Sequence, residues 1–480
     1  MIRTIVKIIL LLVILLSACV PRNTPAVEVP AINLTKCTLS MPELDLQVDA
    51  RCGSLIVPED RSNPNSRQID LNLAVVEAVK RRADPDPLFV LVGGPGQSAV
   101  ESFPALYSSF YRVHQSRDIV LVDQRGTGKS NPLRCLNSEE ELDDEQAIAL
   151  LKDCPQKLNA DLQYYTTDIA MQDLDQVRSA LGYETINLYG VSYGTRAALV
   201  YSKMFPERVR SLVLDAVVDP SFILYQDSAR DGQAALELIF KRCEADRDCN
   251  TTYPRFRVEF QEILRKLGET PVEISMAHPL TGRPLQITLT DRLVSSHVFN
   301  MLYSPDLVAM LPFVIHQAYE SGNYAPLIAQ GYLADSGVYD GMFYAVTCAE
   351  DSPLVKNESG ADEIFGTNIR DFLEVCKAWP QQQPPKVIHE PFASTMPVLM
   401  FSGEADPITP PWHAENLHNA LTNSLNVVFP GMGHGNAFSE CGSRIMDDFL
   451  DAASITDLDV SCAQSVEPPP FFLDFSGPKP

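Results

Sequence analysis

Residues 186–190, INLYG, run directly into Gly190-Val191-Ser192-Tyr193-Gly194 and on into TRAALVYSKMF. The first run is short and apolar, as in a buried strand, and the last has helical character, so a serine sits at a tight strand-to-helix turn. Such a turn needs glycine two residues either side of the serine, where side chains would collide. The hydroxyl is thereby exposed. The helix that follows favours negative charge at its N-terminus, and the Tyr193 N–H is placed to donate to an oxyanion. The pattern predicts Ser192 as a nucleophile.

Outward from this turn the same rhythm recurs. Apolar runs bounded by turn residues occur at 54–59 (SLIVPE), 69–78, 87–94 (PLFVLVGG), 118–126 (DIVLVDQRG), 186–190, 209–218, 397–403 (PVLMFSG) and 426–431 (NVVFPG), which makes eight strands. Helical patterns lie between several of them, such as TTDIAMQDLDQVRSALG, which Thr166 or Thr167 can cap and Gly182 can stop. Continuous Val/Ile/Leu runs alternating with helices predict an α/β fold, an eight-stranded and mostly parallel sheet with helices on both faces. The rhythm breaks from about 220 to 390, a stretch of helical segments read as an inserted, mainly helical cap. QQQPPKVIHEPF at 381–392 reads as the linker back into the sheet. The core is then 36–219 and 391–480.

A nucleophilic serine needs a base, and the base needs an acid to orient it. After PVLMFSG comes Glu404-Ala405-Asp406-Pro407, and after NVVFPG comes Met432-Gly433-His434-Gly435, both at strand ends. Among the 8 histidines His434 follows a late strand on a Gly-flanked loop, whereas His413 and His418 fall on a helical pattern, His114 precedes a strand, and His278, His297, His316 and His389 fall in the cap. Asp406 is the expected acid and Glu404 its fallback. The loop Val92-Gly93-Gly94-Pro95-Gly96 offers a second oxyanion donor, assigned to the Gly94 N–H. Asp123-Gln124-Arg125-Gly126-Thr127-Gly128-Lys129-Ser130 resembles a phosphate loop only in composition. Its spacing is wrong, and it reads as a structural turn. No metal or cofactor is expected.

GGPG, DQRGTGKS, GVSYG, GEADPITP and GMGHG, in that order, resemble the α/β-hydrolase family of proline iminopeptidases and secreted tripeptidyl aminopeptidases. The resemblance spans about residues 50 to 465, and CAED at 348–351 with CKAWP at 376–380 is similar to the tripeptidyl-aminopeptidase-like branch. It implies an α/β-hydrolase fold and cleavage near a free peptide N-terminus beneath the cap. Two positions depart from the family, Val92 where His is usual and Thr195 where Gly is usual. A buried substrate ammonium requires a carboxylate. Glu350 and Asp351 are the candidates, with Asp219 and Asp227 weaker ones. A carboxylesterase or lipase with the same three residues is the alternative, since the serine turn does not separate amides from esters. A non-catalytic binding protein is the minor alternative.

Residues 1–18 carry Arg3, Lys7 and an apolar run from Ile8 to Leu16, too short to span a bilayer comfortably, and read as an export signal. Leu16-Ser17-Ala18-Cys19 resembles a bacterial lipobox. Cys19 would then be lipidated and hold the protein on a membrane surface of the cell envelope, in the outer membrane or periplasm of a Gram-negative host. The Pro-rich residues 19–35 read as a tether. Of 11 cysteines ten remain, an even number in an oxidising compartment, and their sequential pairing predicts disulfides 37–52, 135–154, 243–249, 348–376 and 441–462. Lys+Arg 38 against Asp+Glu 62 gives a net charge of −24, which argues against nucleic acid as a partner. The expected partners are a peptide or ester substrate and the membrane surface.

Overall fold

The computed structural model describes residues 32–41, 44–136, 144–279, 281–333, 337–356, 364–366 and 368–479. The export signal, Cys19 and all but the end of the tether lie outside the described residues. Eleven strands are present among them: β1 (Thr35–Met41), β2 (Leu46–Pro58), β3 (Gln68–Val76), β4 (Leu88–Leu91), β5 (Ile119–Val122), β6 (Ile186–Val191), β7 (Val209–Asp215), β8 (Val272–Ala277), β9 (Pro284–Leu289), β10 (Val398–Gly403) and β11 (Ser424–Phe429).

Nine of them form one sheet in the order β1-β2-β3-β5-β4-β6-β7-β10-β11. The first three pair antiparallel, β3 pairs antiparallel with β5, and the six strands from β5 to β11 are mutually parallel. β4, β5 and β6 are buried at every position, as strands covered on both faces must be. Alternate residues serve opposite layers. Leu188, Leu212 and Leu214 pack with the helices Thr167–Leu181 and Tyr193–Met204, while Tyr189 and Val213 pack with the helices Ala99–His114 and Glu440–Ala452. The helix Thr167–Leu181 starts at Thr166 and stops at Gly182, which has φ +83°.

The sheet has nine strands, not eight. The added strand is β1, whose Lys36, Thr38 and Ser40 alternate with Cys37, Leu39 and Met41. It is a half-exposed edge strand, so it lacks the continuous apolar run that marks the central strands. The 37–52 disulfide ties it to β2, which itself begins at Leu46, before the apolar run at 54. The other four expected disulfides are formed as well.

Between β7 and β10 the chain builds its own apolar core. The helices Ser228–Ala245, Phe256–Glu269, Asp291–Leu302 and Pro305–Ser321 bury Phe240, Phe260, Val298 and Val314. This mainly helical region also holds the antiparallel pair β8–β9, which was not singled out from sequence. β9 alternates exposed and buried residues and β8 exposed and half-buried ones, each over only six positions within a mainly helical stretch.

Candidate active site

β6 runs straight into Ser192, whose φ of +57° and ψ of −127° an L-residue adopts only when its surroundings hold it there. The Ser192 N–H donates to the Asp215 carbonyl at 2.9 Å. Its own carbonyl accepts the Thr195 N–H at 2.8 Å and the Thr195 hydroxyl at 2.7 Å. The Thr195 oxygen in turn accepts the Val218 N–H at 2.8 Å. Thr195, one of the two departures from the family pattern, therefore reinforces the turn. A Cβ on Gly190 would overlap the Gly194 carbonyl, and one on Gly194 would overlap the Leu91 carbonyl, so both glycines answer to close backbone approach.

Asp406 follows β10 and His434 follows β11, at the same edge of the parallel sheet as Ser192. Asp406 is fully buried. One of its oxygens accepts the Ile408 and Thr409 N–H groups, both at 2.9 Å. The other accepts the Thr409 hydroxyl and the His434 Nδ1–H, both at 2.8 Å. Burial opposes its charge, but the His434 ring and the backbone donors outweigh burial and hold the carboxyl below its ordinary range. Burial also works against a charged His434. Asp406, by charge and hydrogen bond, and then Asp215 overcome it and raise the imidazole above its ordinary value. With Nδ1–H committed to Asp406, Nε2 is the nitrogen that can take a proton.

Two further groups fix the loop that carries His434. The His434 N–H donates to the Tyr303 carbonyl at 2.9 Å, and the Tyr303 ring meets the imidazole edge-on with centroids 4.9 Å apart. Behind the loop, the buried Asp215 carboxylate accepts the Asn436 N–H at 2.8 Å, the Ala437 N–H at 2.8 Å and the Tyr189 hydroxyl at 3.1 Å. Burial nevertheless drives Asp215 up to about 6. Among the described residues no hydrogen bond joins Ser192 Oγ to His434. Such contacts commonly tighten only once substrate is bound.

A cavity of about 280 Å³ opens beside Ser192. Gly94 and Tyr193, whose N–H groups are the expected oxyanion donors, lie on its wall, and Gly94 has φ +105°. Val92, the other departure, is buried in the sheet core on the side of the helix Ala99–His114. The cap contributes Phe222, Tyr225, Phe299, Tyr303 and Phe343 to the wall. Asp351 also lines it, but both its oxygens are held by Arg196, with Nη1 and Nη2 each at 2.9 Å. Glu350 accepts the Thr167 N–H at 2.7 Å and the Thr167 hydroxyl at 2.9 Å, and lies 3.7 Å from Arg196. Burial raises it to about 8, against the pull of Arg196. The two acids expected to meet a substrate cation thus form a compensated cluster around one buried guanidinium. Asp219 bonds His413 and Ser221, Asp227 accepts the Ile223 N–H, and Glu404 accepts the Gly431 N–H. None of these three lines the cavity.

A family profile described as alpha/beta hydrolase fold matches residues 86–237, and one described as TAP-like protein matches residues 362–462. The chain is a TAP-like α/β-hydrolase. The hydrolase is 27% identical to the serine protease Hip1 of Mycobacterium tuberculosis over 88% of each chain. It is 26% identical to a tripeptidyl aminopeptidase of Streptomyces coelicolor over 88% of this chain and 84% of that one. The solved proline iminopeptidase of Mycobacterium smegmatis aligns over 83% of this chain and 98% of its own, at 18% identity and a TM-score of 0.38.

Several residues that shape the hydrolase's site were not singled out from sequence. Asp215 ends β7 at the same sheet edge as the serine turn, and Arg196 lies one helical turn after Ser192, so position offered a signal for both. Thr409 is three residues past the acid, where its N–H and hydroxyl close a turn on the carboxylate. For Tyr303, contributed by the cap to the His434 loop, the sequence carries no signal. Of the other histidines, His418 bonds Ser424, His114 bonds Tyr107 and the Glu77 carbonyl, and His389 bonds the Pro220 and Glu350 carbonyls.

Proposed function

We propose that this hydrolase is a serine aminopeptidase that releases short N-terminal peptides through an acyl-enzyme. Ser192 Oγ attacks the scissile carbonyl while His434 Nε2 takes its proton and then delivers it to the leaving amine. Asp406 holds the ring with Nδ1–H inward and stabilises the imidazolium. The Tyr193 and Gly94 N–H groups receive the oxyanion. Water, deprotonated by His434, then releases the acyl group. The observation that carries the chemistry is His434 Nδ1 on a buried, ionised Asp406 at the sheet edge where the strained Ser192 leaves β6. The peptide substrate is supported by two relatives, a serine protease and a tripeptidyl aminopeptidase, matched over most of their length. In this reading the substrate ammonium is balanced by the Glu350–Arg196–Asp351 cluster, which carries a net negative charge once Glu350 ionises.

A carboxylesterase is the second reading, favoured by one observation. The cavity wall carries six aromatic side chains, and Asp351 on it is already paired with Arg196. Matched chromogenic peptides with free and acetylated N-termini, run beside a short nitrophenyl ester, separate the two. Ser192→Ala should lower turnover by about 10⁶. Preference for the free amino terminus supports the aminopeptidase, whereas ester turnover alone would overturn it in favour of the esterase.

Export and lipid attachment at Cys19 complete the proposal, supported by the residue pattern at 1–19 and by five disulfides. Mass spectrometry of the mature N-terminus tests this, and an unmodified Cys19 in the membrane-extracted protein would sink it.

A further inference from the structure

His413 takes no part in the chemistry above, yet it is fully buried between two carboxylates. Its Nδ1 lies 2.6 Å from Asp219 Oδ2 and its Nε2 lies 3.1 Å from Asp231 Oδ2. Ionised carboxylates only accept, so both contacts are hydrogen bonds only when both ring nitrogens carry a proton. The geometry therefore describes an imidazolium. The three residues come from three places. Asp219 lies where the chain leaves β7 for the cap, Asp231 is on the first cap helix, and His413 is on the helix that begins just after the Asp406 turn.

The cluster is packed into the site's wall. Phe222 meets the His413 ring edge-on at 5.1 Å, and Phe222 and Ile408 both line the cavity. The Phe222 carbonyl accepts Arg196 Nη2 at 3.1 Å, and the Ile408 N–H donates to Asp406. Asp219 is further fixed by the Ser221 N–H at 2.8 Å, and Asp231 by Trp412 Nε1 at 3.3 Å.

We propose that the Asp219–His413–Asp231 clamp fastens the cap to the Asp406 turn, and that His413 is a positioning residue that sets the Phe222–Ile408 wall against which substrate binds. The charged groups around it are Asp219, Asp231, Asp227 and Arg230, the last paired with both Asp227 and Asp231. With the imidazolium they sum to −1, and with a neutral ring to −2. Burial works against the imidazolium, but the hydrogen bonds and charges of Asp219 and Asp231 outweigh it and raise the ring above its ordinary value. The clamp is thus closed on the acid side of that raised value. It opens on the alkaline side, where a ring with one N–H leaves one carboxylate facing a lone pair.

The test follows KM for a short nitrophenyl ester against pH, with the Ser192→Ala rate subtracted. The ester has no ammonium and reports the wall whether or not peptides are substrates, so failure of the aminopeptidase reading is seen separately in the peptide assay. Wild type should show KM rising on the alkaline side. In Asp231→Asn, which removes one of the two charges holding the proton, that rise should move to lower pH. In His413→Gln the rise should vanish and KM should be about tenfold higher throughout, with kcat changing much less. If His413→Gln does not fold, Asp231→Asn alone decides. An alkaline limb that is the same in Asp231→Asn as in wild type, or a His413→Gln profile superimposable on wild type, overturns the clamp.

Discussion

His434 answers to two carboxylates. Asp406 touches the ring, while Asp215 holds the following backbone and acts on the ring across space. Both raise the imidazole above its ordinary 6.5, and a protonated ring cannot accept the Ser192 proton. Activity should therefore rise with pH through a midpoint above 6.5, and Asp215→Asn should move that midpoint down. Asp215 itself is raised by burial from 3.8 to about 6. A carboxyl raised on folding lends stability that is full below its unfolded value and lost as pH climbs through its folded value. Wild type should thus lose about 2 kcal/mol between pH 4 and pH 7 relative to Asp215→Asn. Urea unfolding of both proteins at the two pH values checks this. Parallel stabilities would show that Asp215 is no buried charge at neutral pH. The residues that perform the chemistry were legible because each stands just past a strand end, within three residues of a glycine. Those that tune it, Asp215 and Arg196, were signalled only by position, because their partners lie far along the chain, as Arg196 and Asp351 do at a separation of 155 residues.

The segment Asp123–Ser130 shows how one turn can look like a ligand loop and be a structural element. Asp123 accepts the Ser98 hydroxyl at 2.5 Å, Asn72 Nδ2 at 2.7 Å and the Val100 and Lys129 N–H groups at 3.1 and 3.2 Å. Every acceptor position of that carboxylate is spent within the protein, and a Cβ on Gly128 would overlap it. Arg125 is fully buried and forks onto Asp173 at 2.7 and 2.9 Å, while its third nitrogen reaches the Glu59 and Tyr164 carbonyls at 2.8 and 2.9 Å. It joins the end of β2 to the helix Thr167–Leu181 beneath the sheet. Arg125→Met leaves Asp173 with Arg61 as its remaining cation and two carbonyls unmet, which should cost about 3 kcal/mol or more. Urea denaturation should show the loss, and ester turnover per folded molecule should stay within a few-fold of wild type. An unchanged midpoint would mean the fork holds nothing. Among the elements, the parallel strands were readable because burial on both faces demands unbroken apolar runs. β1 and the β8–β9 pair each keep one face exposed and so alternate instead of forming unbroken apolar runs.

Over the whole molecule, the cap is fastened by more than its two connections to the sheet. After the helix Glu440–Ala452, residues 466–479 cross to the cap and lie along it. The Pro469 carbonyl accepts Arg242 Nη2 at 3.0 Å, Phe471 is buried in the cap core, and the Phe472 N–H donates to the Ala309 carbonyl at 2.9 Å. The Tyr253 hydroxyl then donates to the Leu473 carbonyl at 2.6 Å, and Lys479 pairs with Asp248 at 2.6 Å. The same strap passes Gly431, where a Cβ would meet the Pro468 ring, so it also presses on the base of the His434 loop. It therefore touches both the cap and the base of the loop that carries His434. Phe471→Ala removes a buried ring and should cost about 3 kcal/mol, loosening the cap before the sheet because the ring's neighbours belong to the cap. Hydrogen exchange should accelerate in the helices Ser228–Ala245 and Pro305–Ser321 while β4, β5 and β6 stay protected. KM for substrate should rise more than kcat falls, because the cap lines the cavity while Asp406 and the serine turn belong to the sheet edge. Faster exchange confined to residues 466–479, with KM unchanged, would mean that the strap decorates the cap without holding it.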